Sequence, residues 1–180
     1  MNRFTWIVLG AMTMMQASEM TGRTGAAEPK IGEAAPDFQL IGTDGKSHKL
    51  ADYKGKAAVV IAWFPRAHTP GCTVECKSMR DRGEALRKYN VAYFAASVDK
   101  PADNKKFAED LGLDFPILSD PSRQAALAYG VVDNDKQMAR RWTIYITADG
   151  KLAAIDKSVK VGSHGADIAA RLKELGVAEK

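Results

Sequence analysis

At 180 residues the chain has room for one domain and a modest extension. Its 26 basic and 22 acidic residues give a formal charge of +4, and the two signs alternate along the chain as they do on a solvated surface. With no Lys/Arg cluster interleaved with aromatics, that balance excludes the electrostatic footprint of a nucleic-acid binder.

The N-terminus reads apart from the rest. Arg3 gives a positive start, Phe4 to Met15 is largely apolar, and Gln16 to Pro29 is small and polar. The apolar run is too short to span a bilayer. The order positive, apolar, small predicts a secretory signal over residues 1–27, with Gly25 and Ala27 supplying the small positions before the cut. The expectation is an exported, periplasmic or extracellular protein with no stable membrane association once the signal is removed. One domain over residues 28–180 follows it.

Asp37 to Leu40 and Lys46 to Leu50 predict a hairpin across the turn cluster Gly42 to Lys46. The run Ala57 to Phe64 is apolar throughout, as in a central strand buried on both faces. Thr73 to Tyr89 predicts the first main helix and Val91 to Val98 a second buried strand. Pro101 to Leu111 and Pro121 to Tyr129 are helices opened by Pro and closed by Gly112 and Gly130. Phe115 to Leu118 is extended. Trp142 to Thr147 and Lys151 to Asp156 form a hairpin around Asp149-Gly150, and residues 164–175 a last helix with Ile168, Leu172 and Leu175 at helical spacing. Alternating strands and helices in the middle require parallel pairs. A βαβ start and a ββα finish predict an α/β, thioredoxin-like fold: a central mixed β-sheet flanked by helices, with an N-terminal hairpin extension.

The two cysteines, Cys72 and Cys76, stand four residues apart in the turn Thr69-Pro70-Gly71 and the helix that follows. Cys72 falls where a buried strand hands over to the first turn of that helix. A helix N-terminus carries partial positive charge and free N–H groups, which favour a thiolate, the reactive form of cysteine. A structural bridge between residues this close restricts little unfolded-chain entropy. Redox or metal chemistry is the better reading.

Pro65, Thr69 and Cys72 form a Pro-x-x-x-Thr-x-x-Cys pattern that resembles the active-site signature of the peroxiredoxins. The run Phe64 to Val74, with Arg80-Asp81 beyond it, is similar to the Q-type or bacterioferritin-comigratory-protein branch. Arg141 to Ile146 with Asp149-Gly150-Lys151 resembles that family's late strand and hairpin. The resemblance spans about Ile31 to Leu175 and implies a thioredoxin fold. It implies a thiol-dependent peroxidase acting on hydrogen peroxide and organic hydroperoxides, with no cofactor and no metal. In that reading Cys72 is the peroxidatic thiol, Thr69 contacts the peroxide, Pro65 shields the sulfur and Arg141 supplies the cation. Arg140 faces away, because strand neighbours point to opposite sides. Cys76 is the candidate resolving thiol. Q-type enzymes that resolve within this helix usually carry it five residues on. Here the spacing is four, and an ideal helix holds such a pair at about 5–6 Å between Cβ atoms against the roughly 3.5–4.5 Å of a disulfide. Partners implied are the peroxide and a thioredoxin-like reductant, the chain being a monomer or weak dimer.

Thr69 also suits a helix N-cap, and Cys76 a plain buried position. His68 reads as an exposed loop histidine and His164 as a local cap of the last helix. Trp63 and Phe64 read as packing beside the site. Two other functions compete. Cys-x-x-x-Cys on a thioredoxin fold resembles the Sco-type copper chaperones, with His164 the only distant ligand; Pro65, Thr69 and Arg141 have no part in copper binding. An exported thiol–disulfide oxidoreductase normally uses Cys-x-x-Cys, which is absent here.

Overall fold

The computed structural model describes residues 28–180, so the stretch expected to be a signal segment, 1–27, lies outside the described residues. Among the described residues seven strands form one mixed sheet: β1 Gln39–Gly42, β2 Ser47–Lys49, β3 Ala58–Trp63, β4 Val91–Ser97, β5 Ile117–Ser119, β6 Trp142–Ile146 and β7 Leu152–Asp156. Five helices flank it: α1 Pro70–Asp81, α2 Gly83–Arg87, α3 Pro101–Leu111, α4 Gln124–Ala128 and α5 His164–Glu174. The spatial order is β2-β1-β5-β4-β3-β6-β7. β3 pairs parallel with β4 and antiparallel with β6.

Alternation along β3 sorts the core into two layers. Val59, Ile61 and Trp63 face Phe38, Leu50, Tyr129 and Val131. Ala58, Val60, Ala62 and Phe64 face Cys72, Cys76, Met79, Phe107, Ile168 and Leu172, which hang from α1, α3 and α5. A strand buried on both sides has no polar position to spare, which is why its run is apolar throughout. The side chains expected beside the site thus divide: Phe64 lies in the layer of Cys72, and Trp63 lies on the far side of the sheet.

The expected N-terminal hairpin forms, and because β1 pairs antiparallel with β5 it extends the main sheet. Two elements depart from expectation. The helix expected over 73–89 begins earlier and breaks in two. Pro70, which lacks a donor the first turn does not need, opens α1. At Arg82 (φ −107°, ψ 8°) the chain leaves the α region and α2 follows as a separate piece. The helix expected from Pro121 starts only at Gln124, because Arg123 is left-handed (φ 59°) and the Asp120 carboxylate takes the Ala126 N–H at 2.8 Å.

α1 and α5 approach closely. A Cβ on Gly165 would stand 2.3 Å from the Ser78 carbonyl oxygen, and the Gly165 N–H donates to Ser78 Oγ at 3.1 Å. Only glycine permits that contact.

Candidate active site

The strand β3 delivers Phe64 and Pro65 to the head of α1. Pro65 is partly buried at the end of the strand, where its missing N–H ends the ladder. The loop 65–69 is tied down from the turn after β4: the Asp99 carboxylate accepts the Ala67 N–H at 2.8 Å. His68 takes a left-handed conformation (φ 59°), half exposed, its ring 5.0 Å from Phe107 and its Nδ1 3.8 Å from Asp110.

Thr69 occupies the N-cap position by its backbone, and its carbonyl accepts the Thr73 N–H at 2.9 Å. Its hydroxyl makes no cap bond. It donates to the Arg66 carbonyl at 2.9 Å, which leaves the Oγ1 lone pairs free to accept.

Cys72 is the third residue of α1, inside the positive first turn, and it is 0% exposed. Arg141, immediately before β6, donates from Nη2 to its Sγ at 3.5 Å. The structure therefore brings Cys72, Thr69, Pro65 and Arg141 to one end of the sheet. Arg140 points away, paired with Asp133 and donating to the Gly130 carbonyl at 2.9 Å. Cys76 lies one turn farther along the inward face of α1 with Met79 beyond it, and neither cysteine is in a disulfide. Burial raises the Cys76 thiol well above an ordinary cysteine, and the nearby Cys72 charge adds to that.

Two residues extend the site beyond the sequence reading. Glu75, between the cysteines on the same face, is 1% exposed, and one carboxylate oxygen pairs with Arg141 Nη1. The other lies 3.0 Å from His164 Nδ1. His164 does not cap α5: it is the first residue of that helix, 1% exposed, with Nε2 2.7 Å from Thr143 Oγ1 on β6. Its partners are 89 and 21 positions away, so no local pattern could find them. Burial brings His164 down to about 4; Asp156 and Asp167 oppose that fall and Arg141 adds to it. Among the described residues no group of three or more His, Cys, Asp or Glu side chains is arranged to hold a metal.

A thioredoxin-like sheet, a cysteine in the first turn of its leading helix and an arginine donating to the sulfur define a thiol-redox protein. The AhpC/TSA family matches residues 31–155. The chain is 34% identical over 151 residues to the peroxiredoxin Bcp of Escherichia coli K12, covering 81% of this chain and 96% of that one. It is 33% identical over 152 residues to the Bcp of Bacillus subtilis, with the same coverage. The crystal structure of the peroxidoxin BcpB from Mycobacterium tuberculosis superposes with a TM-score of 0.73 at 27% identity, over 82% of this chain and 98% of that one. A peroxiredoxin Q of Xylella fastidiosa shares the fold with a TM-score of 0.76 at 20% identity, over 84% and 99%. The chain belongs to the AhpC/TSA family, and within it to the peroxiredoxins of Bcp and Q type. It is a peroxidase.

These relatives overturn the expectation of export. The Bcp and Q-type relatives, matched over nearly their whole length, lend no support to a signal peptide or to export. The pattern that suggested it is compositional, one arginine ahead of an apolar run and a set of small residues, and such composition does not by itself fix a destination.

Proposed function

We propose that the chain reduces hydrogen peroxide and organic hydroperoxides through Cys72, resolves the product with Cys76 and is restored by a thioredoxin-like dithiol. The observation that carries this reading is the Arg141 guanidinium 3.5 Å from the Cys72 sulfur at the head of α1. A guanidinium stays charged, stabilises a thiolate and has further N–H donors to offer a peroxide oxygen.

The Cys72 thiolate attacks one peroxide oxygen. The O–O bond breaks, its electron pair leaves on the other oxygen, and that oxygen takes a proton to become water or an alcohol. Cys72 is left as a sulfenic acid. Arg141 stabilises the departing charge. Thr69, whose own hydrogen is given to Arg66, orients the peroxide by accepting its O–H. Pro65 keeps the strand end free of a competing donor beside the sulfur. Cys76 then attacks the sulfenic sulfur, an S–S bond forms and water leaves. The reductant's two thiols exchange with that disulfide and carry the oxidation away. All these side chains lie in one chain, so the cycle needs no second copy.

Because both cysteines sit on α1 four residues apart, the disulfide requires that turn to open. The test is intact mass after one equivalent of hydrogen peroxide. Wild type should lose two hydrogen atoms and leave no sulfenic acid to trap. Cys76→Ser should keep its first turnover and yield a trappable sulfenic acid, then over-oxidise in excess peroxide. Cys72→Ser should stay folded and consume no peroxide. Peroxide turnover in Cys72→Ser overturns the assignment of the reactive thiol, and a persistent sulfenic acid in wild type overturns the role of Cys76.

A further inference from the structure

We propose that His164 and Glu75 form a latch that holds α1 helical, and so sets how often an oxidised Cys72 is captured by Cys76 rather than oxidised again. The latch rests on the peroxidase reading above, in which α1 must open for the disulfide to form.

Glu75 lies between the two cysteines on the inward face of the helix, so the turn that carries 72–76 cannot unwind without moving it. Three elements meet at its carboxylate. Arg141, ahead of β6, holds one oxygen. His164, at the start of α5, stands 3.0 Å from the other. Thr143, on β6, fixes the imidazole from behind at 2.7 Å. With Thr143 donating to Nε2, the proton of the neutral ring sits on Nδ1, the nitrogen nearer Glu75. The Gly165–Ser78 contact one residue along keeps α5 seated against α1.

A carboxylate this deeply buried is costly wherever an oxygen lacks a partner, and in the opened helix water supplies one. Each protein partner of Glu75 therefore weights the closed form. The Arg141 pair is the strong part of the latch. The His164 contact is the releasable part: the Nδ1–H direction is bent away from the oxygen, so neither atom has an aligned hydrogen bond among the described residues. Loss of His164 leaves one Glu75 oxygen bare in the closed helix only, which makes opening easier.

The latch is tested by rapid mixing with hydrogen peroxide, reading the sulfenic acid, the disulfide and the sulfinic acid of Cys72 by mass. His164→Leu keeps the volume and removes the contact. It should form the disulfide roughly tenfold faster than wild type, and lose roughly tenfold less protein to sulfinic acid per turnover, without reacting faster with peroxide. His164→Asn places an amide nitrogen near the position of Nδ1 and should restore the wild-type partition. Leu172→Ala, which loosens α5 far from Glu75, should lower the melting temperature and leave the partition unchanged. A general loss of structure would instead move Leu172→Ala and His164→Leu alike, and that result overturns the latch. So does a His164→Leu protein that resolves at the wild-type rate. Should His164→Leu not fold, Glu75→Gln decides: weakening the same carboxylate should speed the disulfide, and an unchanged rate overturns the proposal. A wild type that forms no Cys72–Cys76 disulfide overturns the resolving reading and the latch with it, whereas a normal disulfide with unresponsive variants overturns the latch alone.

Discussion

Two buried polar clusters lie under the same layer of helices, and they are built on different terms. The first joins Ser97 on β4, Asn104 on α3 and Ser119 on β5. Ser97 Oγ lies 3.0 Å from Asn104 Oδ1, and Asn104 Nδ2 donates to Ser119 Oγ at 2.9 Å. It is uncharged, each of its side chains holds a hydrogen bond, and through Ser97 it touches the Asp99 carboxylate that pins the loop ahead of Thr69. The second joins Arg141, Glu75, His164 and Thr143. It is charged and only partly met. The first cluster ties down parts that stay in place throughout the proposed cycle, whereas the second sits on a helix that has to open and close. A buried network that is fully satisfied rigidifies, while one with a loose contact costs little to release.

The largest effect that would sharpen this comparison is at Arg141, which belongs to the second cluster and also reaches the sulfur. Arg141→Ala should slow the reaction with peroxide by roughly 10²–10³, the scale for losing a donor to developing charge. Stopped-flow consumption of peroxide measures it, and a rate within a factor of two of wild type would remove Arg141 from the site.

Asn104→Leu should cost about 1–3 kcal/mol of stability, since it strands the Ser119 hydroxyl in the core while Ser97 keeps Asp99. Urea unfolding reads that loss. The ratio of disulfide to sulfinic acid should not move; if it does, the two clusters are coupled and the contrast drawn here fails.

The clusters should also part on acidification. Serine and asparagine do not titrate in this range. His164 stands at about 4 in the fold against an ordinary 6.5. The unfolded chain therefore takes up this proton first as the pH falls, so the stability held by neutral His164 is complete above about pH 6.5 and drains away toward pH 4. By pH 4 the loss is roughly 2–3 kcal/mol from this group. Unfolding free energies of wild type and His164→Asn, compared between pH 7 and 4, isolate it: the variant should lack this share of the slope, and equal slopes would contradict the burial of a neutral imidazole.

The smallest effect is at Arg140. Its ion pair with Asp133 is on the surface, so Arg140→Ala should stay within about 0.5 kcal/mol of wild type in stability and leave peroxide turnover unchanged. A slowed Arg140→Ala beside an intact Arg141→Ala would mean that the two arginines have exchanged places.

Much of this fold was legible in the chain. α3 carries its own punctuation, Pro101 at the start and Gly112 (φ 57°) at the end, and its bounds are those expected. β3 declares itself by an unbroken apolar run. The break at Arg82 was not legible, nor was the late start of α4, because the causes are a backbone excursion and the Asp120 carboxylate reaching the Ala126 N–H. At the site the same division holds. Cys72, Thr69 and Pro65 are neighbours in sequence and could be read together. Glu75 looks like any acid on a solvated helix, and His164 like a cap, until α5 folds back on α1 and sets them 3.0 Å apart. Local spacing carries a motif, but it cannot carry a contact made by tertiary packing.

The burial of Cys72 also has a kinetic meaning. With the closed helix leaving Cys72 0% exposed, a peroxide has to work its way in to the sulfur, and a protein the size of a dithiol reductant cannot reach it. In the proposed cycle the reductant finds a target only after α1 has opened on the disulfide. Oxidant and reductant then never share the enzyme, and their order is set by which form of the helix each can meet. Steady-state measurements varying both should give parallel double-reciprocal lines, the pattern of a substituted-enzyme cycle.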